Sequence, residues 1–165
     1  MAAAFVPSGA GTLRQRLRDD FGPRFHWSEI TDPAIRHKFL AKVVEHHVDV
    51  RAVVLRKVLG AASEAGRARC LGALLSDLAK AGGNKLTIDK RETGEKNALD
   101  TAQITSLIKR EILPADFEHS FEKPPAEPII WIADAVAGAV QAQFTSKDSQ
   151  YIEAIQALLR LRELP

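Results

Sequence analysis

The chain has 165 residues, 45% of them hydrophobic, with a formal net charge of +2, enough length for one ordinary domain that buries well over half of its unfolded surface. A lone cysteine, Cys70, excludes an internal disulfide framework and a paired-cysteine zinc site, and points to a reducing cytoplasm. The longest apolar run, Ile129 to Val140, is broken by Asp134 and falls far short of the ~20 residues of a bilayer span, so no transmembrane helix is expected.

Met1 to Gly11 lacks the basic region of a signal peptide and reads as a frayed, flexible start. Thr12 to Phe21 reads as a capped helix rich in arginine, ended by Gly22 and Pro23, and residues 1–23 are set apart from a single domain over 24–165. Arg24 to Ile30 suggests a short strand. Thr31, Asp32 and Pro33 supply cap residues and a proline suited to the first turn of a helix that reaches His47, with Ile35, Phe39, Val43 and Val44 on its buried stripe. Val50 to Val58, rich in β-branched residues, is expected as a strand, and Ser63 to Ala81 as a helix stopped by Gly82 and Gly83.

Lys85 to Lys90 predicts another strand, followed by a helix from Asn97 to about Ile112 that Pro114 closes. Asp116 to Glu122 alternates weakly, as a third or edge strand would, before the proline-rich turn Lys123 to Pro128. Two helices, about Ile129 to Phe144 and Ser149 to Arg162, complete the chain. Strands alternating with helices imply an α/β class built on parallel βαβ units, in which Val50–Val58 and Lys85–Lys90 would be neighbours covered by the helices of Phe39 and Leu74.

Charge is uneven. Residues 1–90 carry 15 Lys/Arg against 9 Asp/Glu, and residues 91–165 carry 8 against 12, a polarity that either a phosphate-binding face or an ordinary solvated surface produces. His46 and His47 are adjacent at a helix end and read as structural or surface residues, and Cys70 sits among leucines and reads as packed. No glycine-rich phosphate loop, paired-histidine metal motif or Gly-x-Ser-x-Gly motif is present.

Asp134 is the sharpest candidate, the one charge in an apolar helix. A buried carboxylate there calls for a salt bridge to lysine or arginine, a role capping a neighbouring loop, or a metal or catalytic role. Asp89 ends its strand at the carboxyl edge, where open α/β sheets gather ligands, though a turn-forming aspartate has the same position. Glu92 and Glu95 lie in the polar loop beyond it and read as solvated.

Three segments, Phe25-His26-Trp27-Ser28-Glu29, Leu86-Thr87-Ile88-Asp89-Lys90-Arg91 and Glu127 to Val140, resemble in order and spacing an uncharacterised bacterial domain family related to the ribonuclease-H-like fold, over roughly residues 24 to 145. The resemblance implies a three-layer α/β arrangement with a C-terminal helix, and here a truncated sheet. It makes Asp89 the later-strand acid and Asp134 the helical acid of a magnesium or manganese site. The family's opening acidic strand has no counterpart, so either Glu29 or Glu92 substitutes or catalysis is lost. In the first case the chain is a metal-dependent nuclease or phosphodiester-processing domain with Asp89, Asp134, Glu29 and Glu92 as site residues. In the second it is a non-catalytic module that binds protein or nucleic acid. A truncated sheet further implies an exposed edge covered by a homodimer partner or another protein.

Overall fold

A computed structural model describes residues 1–6, 11–55 and 63–165. The protein is mixed α/β. Its strands are β1 (Ala2–Phe5), β2 (Asp49–Leu55), β3 (Lys85–Asp89), β4 (Glu118–Glu122) and β5 (Leu159–Leu164). Its helices are α1 (Gly11–Phe21), α2 (Pro33–Glu45), α3 (Ser63–Lys80), α4 (Gly94–Lys109), α5 (Ile129–Ser146) and α6 (Gln150–Ile155), with a short 3-10 turn at Trp27–Glu29. The strands form two sheets, a three-stranded one in the order β1-β2-β5 and a two-stranded one pairing β3 with β4. Among the described residues no helix is long and apolar enough to cross a membrane.

Two compact units emerge. The first comprises Met1, Val53–Lys123 and Arg162–Pro165, and the second Ala2–Ala52 and Pro124–Leu161. In the first, β3 and β4 run parallel with Leu86 beside His119 and Ile88 beside Phe121, joined through α4 as a βαβ unit. Leu71 and Leu75 of α3, Ile104 and Leu107 of α4, Ile88 and Phe117 form its core. In the second unit, β1 pairs antiparallel with β2, from Ala2 opposite Ala52 to Phe5 opposite Asp49. Helix α5 packs on β1, and α2 packs on α6. Phe39, Leu40, Trp131, Ile132, Val136 and Ile155 are fully buried there.

Several expectations are corrected. Residues 2–5, read as part of a frayed start, form a strand because β2 offers them a pairing edge, which local propensity does not reveal. Arg24 to Ile30 is not a strand: its centre is the 3-10 turn, whose first N–H goes to a carboxylate instead of a sheet neighbour. β2 and β3 are not neighbours, since β2 is flanked by β1 and β5, and the parallel pair is β3 with β4. Arg56 to Val58 of the expected strand lie outside the described residues. Thr93, not Asn97, caps α4, accepting from the Lys96 N–H at 3.4 Å, while Asn97 sits one turn in and its Oδ1 accepts from the Arg91 N–H at 3.0 Å. The last expected helix stops at Ile155, and Leu159-Arg160-Leu161-Arg162 alternates as β5.

The helix starting at Asp32-Pro33 is present as read: the Asp32 carboxylate accepts from the Ala34 N–H at 2.8 Å. The 3-10 turn lies against α5, and one residue permits it. A Cβ on Gly138 would stand 2.0 Å from Cδ1 of the Trp27 indole, closer than side chains approach, so hydrogen alone lets the ring lie on the helix. Glycine to alanine in a helix ordinarily stabilises by roughly 1 kcal/mol. Gly138→Ala should instead destabilise by about 1–3 kcal/mol through overpacking, measured as a lower urea midpoint at unchanged slope.

Candidate functional site

Asp134 projects from α5 one turn before Gly138. Its Oδ2 accepts a hydrogen bond from the Trp27 backbone N–H at 2.7 Å and lies 3.0 Å from His26 Nδ1. The compensation that the sequence calls for is therefore a loop cap with a histidine partner, not a lysine or arginine. The carboxylate is also less buried than its apolar neighbours imply, with one third of the side chain exposed. Trp27 is held at its other polar end too: its carbonyl accepts from Arg36 Nη2 at 3.2 Å. The Arg36 guanidinium sits 4.7 Å from the Trp27 ring centre and 5.6 Å from that of Tyr151, while the Tyr151 ring meets the indole edge-on at 5.0 Å. A cation beside two aromatic rings is favourable because their faces carry negative potential.

Glu29 belongs to the same turn, and its carboxylate pairs with Arg24 on an exposed surface. Asp89 and Glu92 fall in the other unit. Asp89 is the exposed last residue of β3, beside Glu122 in the strand register, and Glu92 is exposed in the loop leading to α4. The four acids named from sequence thus fall two to each unit, Glu29 and Asp134 in the second and Asp89 and Glu92 in the first. Among the described residues no three His, Cys, Asp or Glu side chains are placed to hold one metal ion. The Asp134 carboxylate is met by one backbone N–H and an imidazole, whereas magnesium and manganese prefer several oxygen ligands. This donor set does not fit such a cation.

Among the described residues a dense polar cluster, which sequence reasoning missed, centres on Asp100. Asp100 on α4 is 3% exposed and accepts from Arg67 of α3 at 2.9 Å from Nε and 2.7 Å from Nη2, a bidentate pair. Arg91 lies 3.8 Å from the same carboxylate, pairs with Glu64 through both terminal nitrogens, and donates to the Lys96 carbonyl at 3.2 Å. The signal was available: Asp100, Ile104 and Leu107 share one helical face, as do Arg67, Leu71 and Leu74, so an acid and a base stand on two apolar stripes. The network ties α3, the β3–α4 loop and α4 together, with every charge answered by an opposite one.

The hydrogen bond from Arg91 holds the Glu64 carboxyl below its usual range and the Arg91 guanidinium above its own. Of the other features, His47 takes a left-handed backbone with φ 49° just past α2, and Cys70 is buried. No family model matches this chain, and no match to it was found among curated proteins or solved structures.

Asp100→Ala should destabilise the protein by roughly 3 kcal/mol, because it strands Arg67 without its bidentate anion while Arg91 keeps Glu64, and chemical denaturation measures it. For Glu64 the folded carboxyl titrates below the unfolded one. Its contribution is complete above the ordinary carboxylate range and disappears as pH falls through the lowered folded value. Glu64→Gln should accordingly flatten the acid limb of the stability profile.

Proposed function

We propose that the protein is a non-catalytic module that acts by binding another protein, rather than a magnesium- or manganese-dependent nuclease. The observation that carries this reading is the engagement of Asp134. The carboxylate that the family resemblance makes a metal ligand is committed to the Trp27 N–H and His26. The likeness to a ribonuclease-H-like domain rests on residues 24 to 145 and supplies the three-layer class of the proposal, and the parallel β3–α4–β4 unit is compatible with it.

A protein partner is favoured over nucleic acid by the fate of five basic residues in the second unit. Arg14 pairs with Glu127 at 2.9 Å, Arg16 with Glu45 at 3.4 Å, and Arg18 donates to the Ala126 carbonyl. Arg24 pairs with Glu29, and Lys42 with Glu45 at 2.8 Å and Asp20 at 3.6 Å. Phosphate binding needs cations whose partners are counterions, and these already have carboxylates and a carbonyl. At the edge of the three-stranded sheet, β5 carries Leu161, which is 39% exposed, and main-chain groups at a sheet edge are a template for a strand from another chain.

Thermal melting of the wild type and Asp134→Asn, with and without millimolar magnesium or manganese, tests the reading. The module predicts a melting temperature indifferent to metal. It also predicts that Asp134→Asn, which keeps an acceptor for the Trp27 N–H but loses the charge beside His26, costs about 1 kcal/mol. A metal-dependent rise in melting temperature that Asp134→Asn abolishes would establish the nuclease reading instead, since a ligand specific to the folded state stabilises it by mass action.

A further inference from the structure

In the first unit, a cleft of about 590 Å³ opens at the N-terminal ends of β3 and β4, within the roughly 300–1,000 Å³ of small-ligand sites. It shares no residue with Asp134 and its partners or with the Arg67–Asp100 network. One wall is the passage from α3 into β3, including Gly82, Gly83 and Asn84; the other is the passage from α4 into β4, including Ile108, Ile112 and Pro114. Gly82 has φ 76° and Glu111 φ 56°, the left-handed conformations that end helices, so both walls are made where a helix has just terminated. Each such terminus presents the negative end of a helix dipole.

Side-chain chemistry adds to that field. The charged groups lining the cleft are Glu111 and Asp116, both carboxylates, and both are exposed. Lys80, Lys109 and Arg110 are close in sequence but do not line it. Ile108, Ile112 and Pro114 meanwhile supply apolar surface, which a bare metal ion has no use for and an alkyl chain does. We propose that this cleft binds an aliphatic cation, a guanidinium or ammonium group on a short alkyl stem. The stem would lie on the apolar wall and the charged head would donate to Glu111 and Asp116. Charge-assisted bonds to a planar guanidinium are the stronger version of such a contact. The same chemistry is available from a free small amine and from an arginine side chain presented by a partner.

Amide spectra recorded during titration with butylguanidinium test this, with the neutral isostere butylurea as control and N-acetyl-arginine methylamide as the side-chain form. The expected result is saturable shifts at the Gly82, Gly83, Glu111 and Ala115 amides with butylguanidinium and none with butylurea. Glu111→Gln combined with Asp116→Asn should weaken binding at least roughly tenfold, the scale of one hydrogen bond to a charged group. The spectrum elsewhere should be unchanged. Equal binding of the blocked arginine would identify a partner's side chain as the source, and binding confined to butylguanidinium would identify a free amine. Absence of saturable shifts, equal shifts with butylurea, or undiminished binding to the double variant would overturn the proposal.

Discussion

The segment between α1 and α2 is positioned through one peptide N–H, that of Trp27. When the chain leaves α1 at Gly22-Pro23 it makes no regular structure for several residues, and the backbone groups of Phe25 to Glu29 must find partners that a strand or long helix would have supplied. Asp134 takes the Trp27 N–H and Arg36 takes the Trp27 carbonyl, while Gly138 leaves room for the indole. With Trp27 placed, Phe25 stacks on Phe39 at 4.0 Å between ring centres and lies 6.4 Å from the buried Trp131. Two aromatic side chains from an irregular segment thereby reach the packing of α2 and α5. An aspartate and a glycine spaced four apart on one helix act as a socket for one tryptophan.

The protein treats its misplaced charges in one way. Asp134, the one charge of α5, and Asp100, on the buried stripe of α4, are each answered by internal donors: a backbone N–H and a histidine in the first case, two arginines in the second. The arginines of α1 likewise find carboxylates and a carbonyl. In both cases the partners come from the chain itself.

Much of the element pattern was legible because local chemistry decides it. Asp32-Pro33 starts α2, Gly22 and Gly82 with positive φ follow the ends of α1 and α3, and β3 and β4 are parallel on either side of α4 as a βαβ unit requires. What was illegible is what distant parts of the chain decide. Ala2 to Phe5 has little intrinsic preference for a strand and becomes one against β2. The segment after Ile155 mixes a leucine-rich helical pattern with a two-residue alternation, and the sheet selects the second. Asp134 was recognisable as a residue needing compensation, but its partner, a main-chain N–H at |i−j| of 107, carries no mark in the sequence. The Arg67–Asp100 pair could have been found by the same stripe argument and was not.

Hydrogen exchange at the Trp27 amide reports on its bond to the Asp134 carboxylate. That amide should exchange far more slowly than one in an unstructured peptide, although it lies outside any long helix or sheet. The protection should collapse selectively in Asp134→Ala while the amides in the middle of α5 keep theirs. A Trp27 amide that exchanges at the unstructured rate in the wild type, or protection that survives removal of the carboxylate, would contradict this role of Asp134.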